Sequence, residues 1–166
     1  MAEFIYNNYQ PFTKVGNYEI WKSGDFKSGL EKPEVIQVPI KQDQPYNFND
    51  LVINKVTPGR IDLRTGRTDP FIHGFLAQGE GVRLDSGKRW SIRFRYSTSQ
   101  EGGGQLFYSL DQEKFSEKQV FKLEFSKNQP EKQMDVQLPY FKHAVTLSDV
   151  RLDPPADAEF SLFGIE

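Results

Sequence analysis

The chain carries two histidines and no cysteine. Without thiols there is no disulfide, no thiolate nucleophile and no cysteine-ligated zinc or iron–sulfur centre. His73 lies in Pro-Phe-Ile-His-Gly-Phe and His143 in Tyr-Phe-Lys-His-Ala-Val. Neither has a nucleophile or carboxylate at a motif's spacing, so nothing marks either ring as a general base. His-Glu-x-x-His, Gly-x-Ser-x-Gly and Walker-type segments are absent. Cleavage of a glycoside needs two carboxyl groups roughly 5 to 10 Å apart across a cleft. The 23 acidic residues allow such a pair, but no local pattern selects one. Asp62, Asp69, Asp85, Asp111 and Asp153 stand near turn residues and offer oxygen ligands, without the ordered spacing of a calcium loop. Turn aspartates commonly bond their own backbone, although a sandwich can hold a structural calcium with ligands scattered along the chain. No organic cofactor is indicated, a metal site stays open, and the expectation is a chain that does not catalyse.

Binding chemistry is better represented. In residues 89–98, Trp90, Ile92, Phe94 and Tyr96 alternate with Ser91, Arg93, Arg95 and Ser97. Successive strand side chains point to opposite faces, so this reads as a strand with one apolar and one polar face. Residues 105–110 repeat the pattern, with Leu106, Tyr108 and Leu110 inward and Gln105, Phe107 and Ser109 outward. The intervening Ser-Gln-Glu-Gly-Gly-Gly predicts a hairpin turn, and its glycines lead into a strand where a phosphate cradle would feed a helix. On that hairpin Arg93, Arg95, Gln105 and Phe107 would share one sheet face. An aromatic ring beside guanidinium and amide groups suits a saccharide, whose C–H face stacks while its hydroxyls bond. The alternative is an ordinary solvated face, or one covered by another segment. Trp21 and the Tyr140-Phe141 pair are open to the same two readings.

These groups need a β scaffold. Further strands are predicted at 18–22, 35–42, 51–56, 60–63, 71–76, 81–84, 120–125, 133–138, 145–152 and 159–165. Thr57-Pro58-Gly59, Arg64-Thr65-Gly66 and Asp85-Ser86-Gly87 supply turns. Pro39 makes 35–42 an edge strand or a bulge. No window sustains the apolar spacing of a long amphipathic helix. The fold class is therefore all-β, an antiparallel two-sheet sandwich of the jelly-roll or galactose-binding-like kind. Its 166 residues fit a single domain, with 1–13 as a loose N-terminal arm. A net charge of −2, with no run of five like charges, gives no push toward nucleic acid. The first residues lack the basic start and apolar run of a signal peptide, and no stretch approaches the roughly 18 apolar residues of a membrane span. A complete chain and a piece of a longer one remain equally open.

Gly104-Gln-Leu-Phe-Tyr-Ser, Phe115-Ser-Glu, Val150-Arg-Leu-Asp-Pro-Pro and the closing Glu159-Phe-Ser-Leu-Phe-Gly-Ile form an ordered series. Over residues 88–166 it resembles the jelly-roll, carbohydrate-binding-module-like domain attached to bacterial glycosyltransferases and other cell-surface polysaccharide proteins. Tyr6-Asn-Asn-Tyr-Gln-Pro-Phe and Tyr18-Glu-Ile-Trp-Lys are similar to the soluble tail of membrane-embedded sugar transferases. The resemblance implies a non-catalytic accessory domain that binds an oligosaccharide or envelope polysaccharide, or positions a substrate. It also implies the membrane part of a parent chain as a partner, and an extracytoplasmic location if the chain is excised from a membrane protein. It transfers no binding residue. A structural or protein-interaction sandwich is the alternative, and a small glycan-active enzyme the third reading.

Overall fold

The structure is a computed structural model that describes residues 9–15, 18–23, 33–76 and 81–164, with side chains over 33–76, 81–127 and 131–164. Among the described residues the chain is strand, turn and loop, with no helix. β1 (Tyr9–Val15) and β2 (Tyr18–Ser23) form a two-stranded antiparallel ribbon. Residues 9–13, expected in a loose arm, thus belong to a strand, and the rest of that arm lies outside the described residues.

Among the described residues two six-stranded sheets make the body. Sheet I runs β5 (Leu51–Thr57), β6 (Arg60–Thr65), β14 (Glu159–Phe163), β9 (Trp90–Thr98) and β12 (Asn128–Gln137). The short β3 (Glu34–Gln37) adds in parallel beside the first half of β9 and stops two residues before Pro39. Sheet II runs β4 (Asn47–Asn49), β7 (Phe71–His73), β13 (Val145–Asp153), β10 (Gly102–Leu110) and β11 (Val120–Phe125). β8 (Val82–Leu84) pairs the start of β13. All of these pairings except that of β3 are antiparallel.

The alternation read from the sequence decides which way each strand faces. Ile92, Phe94, Tyr96, Phe160, Leu162, Ile61 and Leu63 from sheet I meet Leu106, Tyr108, Leu123, Phe125, Val150, Leu152 and Ile72 from sheet II in one buried core. Tyr96 and Phe160 stack at 5.9 Å, and the ring of Phe125 stands edge-on to both, at 5.0 and 5.5 Å. Such edge-to-face contacts add about 0.5–1.5 kcal/mol per pair beyond area burial. Trp90 is also buried, and its indole N–H is satisfied by the Asp85 carbonyl at 3.2 Å.

One expectation is overturned. β9 and β10 are not a hairpin: β9 pairs with β12, β14 and β3, whereas β10 pairs with β11 and β13 in the other sheet. The chain leaves sheet I at Thr98, whose hydroxyl donates to the Gln100 carbonyl at 2.9 Å, while Ser99 N–H bonds Glu159 O. It enters sheet II at Gly102. Gly102, Gly103 and Gly104 are therefore strand residues, not a turn. Gly104 is needed for close approach: a Cβ there would lie 2.3 Å from the Asp153 carbonyl and 2.5 Å from the Phe125 ring.

Candidate functional site

Splitting the expected hairpin separates its site residues. Arg93 and Arg95 lie on the outer face of sheet I, Gln105 and Phe107 on the outer face of sheet II, so the four do not share a surface. Phe107 does point away from the core, but it is only 5% exposed. Opposite it on β13 stands Arg151, whose guanidinium lies 4.9 Å from the Phe107 ring centre and 4.0 Å from that of Phe71. A ring covered this way has no free face for a sugar, so Phe107 drops out of the expected platform, while Gln105 lines the surface beside it.

What stands beside Phe107 is a cleft of about 350 Å³ on the outer face of sheet II. Three neighbouring strands place one row of its floor: Lys122 on β11, Gln105 on β10 and Asp153 on β13 are direct cross-strand partners. Glu124 and Gly103 form the next row. Because Gly103 has no side chain and open space where one would be, the floor dips there. The side chains of Gln105, Lys122 and Glu124 bond no other described residue, so their donors and acceptors remain for a ligand.

The facing wall is the loop of residues 66–70, which contributes Arg67, Thr68 and Asp69. It is held at both ends. The Asp50 carboxylate accepts the N–H groups of Thr68 at 2.6 Å and Asp69 at 3.2 Å. The buried Thr65 hydroxyl donates to the Pro155 carbonyl at 2.7 Å and accepts from Ala158 N–H at 2.7 Å. Asp50 reaches this loop because residue 66 is glycine: a Cβ there would stand 2.1 Å from its carboxylate oxygen.

Arg151 ties wall to floor. It holds the Asp153 carboxylate with two bonds of 2.7 and 2.8 Å, and its second amino group is 3.6 Å from Asp69. Burial pushes the Asp153 carboxyl upward from its ordinary value, the Arg151 bonds oppose this, and the negative charges of Asp69 and Glu117 add to the rise. Further along the face, His73 Nδ1 is 3.1 Å from Asp149, which also accepts the Gly74 N–H. The connection between β10 and β11 folds over this end and sets the Phe115 ring edge-on against His73 at 5.3 Å. His73 thus has a carboxylate partner that its sequence surroundings did not reveal, while its other ring nitrogen bonds no described residue. His143 is exposed.

Among the described residues no group of three or more His, Asp or Glu side chains is placed to hold a metal ion. Tyr140 is exposed, Phe141 is buried, and the Trp21 side chain lies outside the described residues. No family model matches the sequence, and no curated protein is significantly similar to it.

Proposed function

We propose that the chain is a non-catalytic accessory module that holds a saccharide of the bacterial envelope in the sheet II cleft and presents it to a larger protein. One observation carries this. Two of the four segments through which the sequence resembles saccharide-binding accessory domains are paired with each other, Gln105 to Asp153, Leu106 to Leu152 and Phe107 to Arg151, and Gln105 and Asp153 floor the cleft. Strand order supports the jelly-roll form of the reading. In sheet I β6, β14, β9 and β12 are neighbours, in sheet II β7, β13, β10 and β11, and among these eight strands only the β10–β11 connection stays within one sheet. Such interleaving is what a doubled Greek key calls for.

The cleft offers amide, ammonium and carboxylate groups, which suits hydroxyl recognition. Two of its carboxylates, Asp69 and Asp153, are bridged by the Arg151 guanidinium, which weighs against their use as an acid pair for glycoside cleavage. An open polar site of this size loses much of its interaction energy to ordering, so dissociation constants of about 10 µM to 1 mM are expected. A second reading, a protein-interaction sandwich, is favoured by Phe48 and Val52, which stand exposed on the edge strands β4 and β5.

Gly103→Trp separates the two. The new ring has open space at its root and fills the cleft, so on a glycan array it should remove the wild-type signal while the melting temperature stays within a few degrees. Glycan binding unchanged in Gly103→Trp, or no wild-type signal at all, would overturn the saccharide reading.

A further inference from the structure

The outer face of sheet I, on the far side of the core, holds a second groove of about 480 Å³, with Gln37, Arg93, Arg95 and Gln133 among its lining residues. Its cations are fixed and neutralised by the molecule itself. Arg93 is gripped by Asp135 through two bonds of 2.6 and 2.9 Å. Arg95 donates to Glu131 at 2.6 Å and to the Gly164 carbonyl at 2.8 Å. Both carboxylates come from β12, the neighbouring strand, where Asp135 is the direct partner of Arg93. An anionic ligand would have to displace Asp135 or Glu131 from a charge-assisted bond, whereas a hydroxyl can use the remaining donors, the Gln37 amide and the carbonyl oxygen of Gln133, whose amide nitrogen donates to Asp135 at 3.3 Å, without doing so. Guanidinium groups already locked in place also lose little freedom when a ligand arrives.

We propose that this groove is a second saccharide subsite, selective for uncharged sugars, and that the module is bivalent. The proposal rests on the saccharide reading of the sheet II cleft. Because the cleft and the groove lie on opposite outer faces, a short oligosaccharide cannot fill both. Two polysaccharide chains can, and a bivalent module would hold them together, gaining avidity without a new contact.

The test is calorimetric titration with the strongest neutral binder from a panel of gluco-, manno- and galacto-oligosaccharides, with oligogalacturonate as the acidic comparison. Wild type should take two equivalents, Gly103→Trp and Gln133→Trp one each, and the double variant none. Gln133 is exposed; if its tryptophan lowers the melting temperature, Gln37→Ala with Gln133→Ala removes the amides without added bulk and should likewise leave one equivalent. One equivalent in wild type, lost in Gly103→Trp and untouched by Gln133→Trp, would overturn the second site and leave the cleft standing. Binding lost in Gln133→Trp alone would overturn bivalency and the cleft reading together. Preference of the Gly103→Trp protein for oligogalacturonate would overturn the neutral-sugar assignment, and absence of any neutral binder would overturn the proposal outright.

Discussion

Gly103 and Gly104 are adjacent and chemically identical, yet one opens a cleft and the other closes a sheet. Gly104→Ala places a methyl group against the Asp153 backbone and the Phe125 ring, an overpacking expected to cost about 1–3 kcal/mol. Gly103→Ala meets nothing within 4 Å and should shift stability by less than about 0.5 kcal/mol. Urea melts of the pair check this, and equal losses would contradict the placement of β10. Phe107→Ala should cost roughly 3 kcal/mol, because the ring is buried beneath Arg151. The sequence made its outward direction legible through alternation. It could not show the cover, because Arg151 and Phe71 come from strands that only the tertiary fold brings alongside. The same holds for Asp153: its place beside Pro154 was readable as a turn, its burial and its two bonds to Arg151 were not.

At the scale of elements, period-two patterning found most of the strands to within a few residues, because a face buried against a second sheet selects apolar residues at alternate positions. It mistook a crossing between sheets for a hairpin. Both connect alternating strands through a short polar, glycine-bearing segment, and the difference lies in the partners on either side. β4, three residues long, was missed because both of its faces are exposed and no alternation marks it. Edge strands carry their own protection. β5 has a bulge between Ile53 and Lys55, and the register of β12 shifts between Asn128 and Lys132 around Pro130, which has no N–H to offer a neighbouring chain. Phe94, central in β9 and 2% exposed, should cost about 3–5 kcal/mol on replacement by alanine. A loss below about 1 kcal/mol in a denaturant melt would take β9 out of the core.

For the whole molecule, the two faces of the sandwich respond to acid in opposite senses. On sheet I the hydrogen bonds from Arg93 hold the Asp135 carboxyl below its ordinary value of 3.8. That stability is present above 3.8 and is lost as pH falls through the lower folded value. On sheet II burial raises Asp153 above 3.8, so its contribution is complete below that pH and fades as pH rises through the higher folded value. Urea midpoints between pH 3 and 7 should therefore show the advantage of wild type over Asp135→Asn growing with pH, and that over Asp153→Asn shrinking; parallel trends would contradict the burial of Asp153. The central claim is that the sheet II cleft binds a saccharide, and the most direct measurement is a two-dimensional amide NMR titration with the oligosaccharides of the panel. The account predicts shifts at Thr68, Asp69, Gly103, Gln105, Lys122, Glu124 and Asp153, all on the sheet II face. Shifts absent from these residues at millimolar glycan, or confined to the edge strands around Phe48 and Val52, would contradict it.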